Sequence, residues 1–504
     1  MILINKRAGR AAALLAALAL AAGCGQRSSI VLEKPLRNVV KTESNAMTLM
    51  VWTDAGVKAG VLVHIDGTDD LAVFPTSLHE TIENTADHLE RKNSSVINRI
   101  ATIIENGGTV NLGVKSGMFR RVIWVIPSRG SVTDLPLENF RQALMLKRGF
   151  PEQALGDLAV SGRHITGTIA GVPLTVTSLE DLDDVEETAL LDIDLSYFAG
   201  LQAVSPDYKP GTSSLLNFLR VLKRKRIHAV MATINRSSIN QAAPLDTRYF
   251  ADIIEETLRD PSLLEGPLPE KYKLMIQAES ALAAGNYSEA SAVYAGLVKS
   301  YPQDAGLRFS HAIALGFLDK GEECREEMLN AYAIDSTYMK GFFQLARVLG
   351  ANGRVSAGEA LLETSDLNKT LPEIEMDYQR GLFYAQAGLH VQAAEILVNV
   401  AAKRPKDFAI RTVLYKSYEQ LDDTRRMYST LEDLVQLDRG RVTRDMPWAF
   451  KKLGDLAWNF HMDLFAAGWY EQYLAVVHDD PDSTRMREIV KRWEGVDKTP
   501  RTMK

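Results

Sequence analysis

Two short stretches carry most of the residues that could do chemistry. Val61–Leu71 reads VLVHIDGTDDL, an apolar run that ends in Asp66, Asp69 and Asp70, and TALLDIDLSYF ends in the same manner at Asp192 and Asp194. Carboxylates gathered at the ends of buried strands are the donor type for divalent cations, because oxygen ligands offset the ion's charge. Nitrogen is the donor in short supply. Between the aspartates stands Thr68, whose neutral hydroxyl binds a transition metal weakly. His64 lies two residues before Asp66 and so shares its strand face, but deeper, where a histidine satisfied by its core neighbours is the common case. His79 and His88, in LHETIENTADHLE, lack the His-Glu-x-x-His spacing of a zinc-protease helix and read as part of a solvated helix. The sequence contains no phosphate-binding glycine loop and no Gly-x-Ser-x-Gly elbow.

These residues need elements to position them. From about 45 to 260 the chain alternates apolar runs (GVLVHID, RRVIWVIP, TALLDIDLSYF, IHAVMATINRS) with helical patterns such as SSVINRIATIIENGG. Continuous apolar strands separated by helices predict a parallel sheet covered on both faces. The ligand crevice of such a sheet lies at the carboxyl ends of its strands, where both aspartate clusters fall. NRSSINQ, Asn235 to Gln241, follows the last strand and would line the crevice rim or cap the next helix.

From about 265 onward the strands vanish. AGNYSEASAVYAGLVKSYPQD and AGLHVQAAEILVNVAAKRPKD overlay, with Gly285 on Gly388, Ala290 on Ala393 and Pro302 on Pro405. Turns placed at Gly321 and Gly353 between them give spacings of 36, 32 and 35 residues. Ser336 stands near a terminal-proline place, and a turn near Leu421–Asp422 adds a fifth unit. The pattern resembles the tetratricopeptide repeat, whose helix pairs have a glycine in the turn, an alanine where the helices touch and a proline after the second helix. Each pair must stack on neighbours to bury its apolar stripe. PWAFKKLGDLAWNFHMDLFAAGWYEQYLAVV supplies a last pair or cap.

The first half carries a resemblance too. LVHIDGTDDL, VIWVIPS and LLDIDLSYFAGL are similar to the HIDxHxDL, WVxP and LDIDxDYF phrases of an arginase-like family that includes peptide-arginine hydrolases. The resemblance covers roughly 40 to 260 and implies a three-layer domain with a dinuclear manganese centre, whose metals activate a water for attack on a C–N bond. By position it makes Asp66, Asp70, Asp192 and Asp194 the metal-binding carboxylates. The departures fall on the same site. Thr68 replaces the family's histidine, Ser196 replaces its last aspartate, and Glu43, Ser44 and Asn45 stand where it places further histidines. The remaining carboxylates would suit one hard cation (manganese, magnesium or calcium), but losing the imidazoles favours a domain with no cofactor and no catalytic residue.

The ends and the charge bound the rest. Lys6, Arg7 and Arg10 precede AAALLAALALAAGC, a secretory signal too short to span a bilayer comfortably. Its LAAGC ending resembles the bacterial lipobox, which implies lipidation of Cys24; Gly25, rather than aspartate, follows and points to the outer membrane, facing the periplasm. The only other cysteine, Cys324, reads as a small buried residue, so neither a disulfide nor a cysteine zinc site is expected. A formal charge of −6 argues against general nucleic-acid binding, and Lys223-Arg224-Lys225-Arg226 reads as a solvated helix end.

The expected organisation is a signal peptide (1–23), a tether (24–44), an arginase-like α/β domain (45–262), a tetratricopeptide α-solenoid (265–440) and a C-terminal repeat or cap (441–497). The expected function is a lipid-anchored scaffold that grips a protein partner through its repeats, beside a non-catalytic arginase-like domain. The alternative is a periplasmic metal-dependent hydrolase of C–N bonds acting on arginine- or peptide-like substrates.

Overall fold

The computed structural model describes residues 28–496 apart from 59, 68–69, 72–77, 106, 135, 149, 151, 237–246 and 478. The chain divides into two compact units, 1–310 and 311–504, and the division falls inside the helix Ala305–Phe317. No described helix is long and apolar enough to cross a membrane.

The first unit is built on a nine-stranded sheet: β1 (Ser29–Ile30), β2 (Val39–Thr42), β3 (Val61–Ile65), β4 (Arg121–Val125), β5 (Ala159–Ser161), β6 (His164–Ile169), β7 (Val172–Thr177), β8 (Ala189–Asp194) and β9 (His228–Asn235). Strands β2, β9, β8, β3, β4 and β7 run parallel in that order. Every residue of β3 and β8 is buried, as the unbroken apolar runs require of strands covered on both faces.

Two expectations need correction. The sheet is mixed rather than parallel, because β5 and β6 run antiparallel beyond β7, and β1 runs antiparallel to the start of β9. The cause at one edge is a two-residue turn: Ala170 and Gly171 both have positive φ, at 46° and 83°, which fits the tight hairpin turn that joins antiparallel strands. Residues 29–42, read as tether, are also partly sheet, since β2 pairs along its whole length with β9. The short polar interruptions around β1 and β2 hid those strands.

The helices from 270 onward form hairpins. Glu270–Ala283 pairs with Tyr287–Ser300, Ala305–Phe317 precedes Gly321–Ile334, and Met339–Ala351 pairs with Val355–Leu362. Glu373–Gln386 pairs with His390–Lys403, Phe408–Gln420 with Thr424–Leu437, and Trp448–Asn459 with Asp463–Leu474. Each turn is three residues long, and each contains a residue in the left-handed region: Gly285, Asp319, Gly353, Gly388, Asp422 and His461. These residues lie 34, 34, 35, 34 and 39 residues apart. Gly321 is therefore not the turn glycine; it opens a helix, and Asp319 makes the turn. The last interval is longer because a short helix, Arg439–Asp445, is inserted.

Five residues past each left-handed position stand Ala290, Cys324, Gly358, Ala393, Met427 and Ala466. All six are buried. Cys324 thus fills the small-residue place of its hairpin, and burial pushes its thiol up to about 12, which keeps it unreactive. A Cβ on Gly358 would stand 2.4 Å from the Phe383 ring and 3.0 Å from the Ala346 carbonyl oxygen.

Within the first unit, a polar contact ties the first hairpin to the α/β elements. Glu279 accepts hydrogen bonds from the Thr212 backbone N–H (2.8 Å), the Thr212 hydroxyl (2.5 Å) and the Tyr249 hydroxyl (2.6 Å). It caps the helix Thr212–Lys223, whose first N–H groups have no intrahelical partner.

Candidate functional site

The register of the sheet assembles the site. His64 on β3 stands opposite Asp192 on β8, and Asp192 stands opposite Thr233 on β9. One step further, Asp194 stands opposite Asn235, which faces Thr42 of β2. Side chains two apart on a strand share a face, so His64 and Asp66 lie on one side. His64, Asp66, Asp70, Asp192 and Asp194 each expose 3% or less of their surface.

His64 is the centre of the arrangement. Its Nδ1 lies 2.9 Å from Asp192 Oδ2, while its Nε2 lies 3.2 Å from Asp66 Oδ2 and 4.0 Å from Asp70 Oδ2. The sequence placed His64 too deep for this role. In the structure it separates the β8 carboxylate from the β3 pair. Burial alone would push the imidazole's pKa down, but hydrogen bonding and charge from Asp192 and Asp66 more than reverse that and hold it well above the ordinary histidine value.

The carboxylates are held from outside. The Thr233 hydroxyl donates to Asp192 Oδ1 and accepts from the Trp52 indole N–H at 3.1 Å. Asp194 Oδ1 accepts from the Ser196 backbone N–H at 2.7 Å, at the start of the helix Ser196–Val204. The Ser196 hydroxyl donates to Asp66 Oδ1 and accepts from the Gly67 N–H. Asp70, at φ 45°, receives the Asn45 amide at 2.9 Å, and Asn235 in turn donates to Asn45 Oδ1 at 2.6 Å.

The residues standing where the resembling family has histidines have other work. Ser44 caps the helix Asn45–Asp54, Asn45 orients Asp70, and Glu43 pairs with Arg248 at 2.8 Å and Arg236 at 3.2 Å. Arg236 also reaches Asp252 at 3.0 Å. From the rim segment NRSSINQ, Asn235 and Arg236 join these networks; residues 237–241 lie outside the described residues, as do Thr68 and Cys24. His79 and His88 are exposed on the outer face of the helix His79–Glu90, whose inner face buries Ile82 and Leu89. Lys223, Arg224 and Arg226 pair at the surface with Glu265, Glu180 and Glu33.

A dinuclear centre needs carboxylates free to bridge two ions and an imidazole for each. Among the described residues one imidazole reaches these carboxylates. Asp192 is turned to His64 Nδ1 and the Thr233 hydroxyl, and Asp194 to a helix N-terminus. With one imidazole where the resembling family has one for each ion, the described donors do not reproduce that family's ligand set. What remains together is His64, Asp66 and Asp70, whose ligand atoms all lie within 4.8 Å of one another. Sequence reasoning missed His64, Thr233 and Asn235 as members of the site; only the strand register unites them.

No protein-family model matches the chain, and no curated protein matches it. Solved structures similar to it include a tetratricopeptide repeat protein from Parabacteroides merdae, 10% identical over 49% of this chain and 94% of its own, with a TM-score of 0.25. The C-terminal part of a TPR repeat-containing protein from Cytophaga hutchinsonii is 13% identical over 42% and 98%, at 0.24. PilW, a type IV pilus biogenesis factor, is 14% identical over 43% and 98%, at 0.26. Of another solved TPR domain this chain spans 65% of the length. At these TM-scores the repeat reading stands on the chain's own three-residue turns, 34-residue spacing and buried small residues.

Proposed function

We propose that the protein is a lipid-anchored envelope scaffold. In this reading the helical hairpins hold a protein partner, and the α/β half is a retained arginase-like shell that does not hydrolyse C–N bonds. One observation carries the non-catalytic part. Among the described residues a single imidazole, His64, reaches the strand-end carboxylates, where the resembling family's two-metal activation of water calls for one on each ion. The regular hairpins support the scaffold part, because stacked helix pairs offer extended surfaces suited to binding other chains.

The membrane address rests on the leader and on Cys24, with Gly25 after it favouring the outer membrane. Lipidation at Cys24 would place both units in the periplasm. The net charge of −6 gives no support to a nucleic-acid partner.

The catalytic question is tested by supplying the full chain with Mn²⁺ and following ammonia or urea release from arginine-bearing peptides and guanidino compounds. The expected result is no release above Mn²⁺ in buffer. Turnover that disappears in Asp66→Ala and Asp192→Ala would overturn the reading. For the anchor, radiolabelled palmitate should enter the protein in bacterial cells and fail to enter Cys24→Ser.

A further inference from the structure

A cavity of about 160 Å³ opens where β4 and β7 end. Its walls come from the turns after those strands, from the helices Ser196–Val204 and Thr212–Lys223, and from the loop between the two helices. Open α/β sheets take ligands outside the carboxyl ends of their strands. None of the described residues lining the cavity belongs to the His64–aspartate network. The helix Ser196–Val204 divides the two: Ser196 and Gly200 face Gly67 and Pro127, whereas Tyr197 and Leu201 face the cavity. We propose that this cavity binds a small uncharged molecule whose carbonyl oxygen accepts hydrogen bonds from Tyr197 and Tyr208. The inference goes beyond the scaffold reading, which does not require it.

Two phenol hydroxyls carry the assignment. Tyr197 exposes 3% of its surface, and its hydroxyl makes no hydrogen bond to any described residue. Burial, then Tyr208 and Glu180, push its pKa up, so the hydroxyl lies beside two other lining residues and keeps its proton at neutral pH. The Tyr208 oxygen is likewise buried without a hydrogen-bond partner, and burial raises its pKa too. Ser214 stands near it, but that hydroxyl is exchanged with Gly211, donating to the carbonyl at 2.9 Å and accepting from the N–H at 3.0 Å. A buried O–H with no acceptor costs free energy, which a ligand oxygen reached by both would recover.

The charges favour a neutral ligand. Arg129 and Glu180 line the cavity at its exposed rim, where they already lie 3.6 Å from Asp207 and 3.7 Å from Arg224. The buried polar groups are hydroxyls, so a charged ligand would lose its water without gaining a countercharge. An anion would also meet Glu180. The rest of the ligand must be apolar and short. Leu201 and Phe218 supply its wall, with the Phe218 ring centroid 5.6 Å from that of Tyr197. A cavity of about 150 Å³ holds a benzene ring, so this volume suits about six to ten non-hydrogen atoms.

Benzamide, benzoate and benzamidinium share one size and shape and differ in charge, and the test is to titrate each into the full chain and follow it by ligand-observed NMR. Benzamide is expected to bind in the millimolar range usual for so small a ligand, with the two ions at least about tenfold weaker. Tyr197→Phe and Tyr208→Phe keep their rings, and each should weaken benzamide about fivefold with an unchanged circular dichroism spectrum. Glu180→Gln, at the exposed rim, should narrow the gap between benzamide and benzoate. Failure of benzamide to bind would overturn the proposal. So would equal binding of all three compounds, or benzamide binding indifferent to both folded phenylalanine variants. Each of those results leaves the scaffold reading standing.

Discussion

At the ends of β3 and β8 the chain buries His64, four aspartates, Thr233, Asn45 and Asn235, and each hydrogen bond there is specified by a neighbouring strand or loop. At the equivalent depth of the helical hairpins it buries Ala290, Cys324, Gly358, Ala393, Met427 and Ala466, which donate and accept little and matter mainly for size. The first region depends on partners, the second on volume. A conservative change in one is therefore a serious change in the other, and substitutions can test whether the division holds.

The largest effect should come from the polar region. Asp192→Leu removes the partner of both His64 Nδ1 and the Thr233 hydroxyl. Breaking a buried pair in this way should cost about 3–5 kcal/mol, read as faster hydrogen exchange through β3 and β8. A loss below about 1 kcal/mol would mean that the network is not what holds the strand ends. In the helical region, Gly358→Ala drives a methyl against Phe383 and the Ala346 carbonyl. The expected cost is about 1–3 kcal/mol, seen as earlier proteolysis of Met339–Leu362.

The same substitution at Gly296 should have the opposite sign, because that glycine lies on an exposed helix face with open space around its Cβ position. Gly296→Ala should stabilise the helix Tyr287–Ser300 by up to about 1 kcal/mol, measured as slower amide exchange. The smallest effect concerns Glu432, whose pKa is raised by burial and then by Asp433. A raised acid favours folding while protonated, and that contribution is lost as pH climbs from the unfolded value, about 4.3, through the folded one. Glu432→Gln should therefore raise the thermal midpoint slightly at pH 7–8 and leave it unchanged near pH 4, in paired scans.

Much of this contrast was legible in the sequence. The apolar runs located β3, β4, β8 and β9, and Gly285, Gly353 and Gly388 located three of the turns. The turn at Asp422 was placed as well, near Leu421–Asp422, whereas those at Asp319 and His461 were hidden because residues other than glycine adopt the left-handed conformation there. Asp is among the residues that tolerate it best, so an aspartate ending a helical pattern was the available signal. The site was legible only in part. Its aspartates announced themselves by spacing, whereas the roles of His64, Thr233 and Asn235 depend on which residues face one another across β3, β8 and β9. Period-two reading gives the face of a strand but not the register of its neighbour.

The central claim is that the strand-end carboxylates no longer form a two-metal centre. Electron paramagnetic resonance of the full chain loaded with excess Mn²⁺ and cleared of free ion tests it most directly. The structure predicts at most one protein-bound ion per chain, with the six-line spectrum of an isolated Mn²⁺. An exchange-coupled multiline signal at two ions per chain would contradict it.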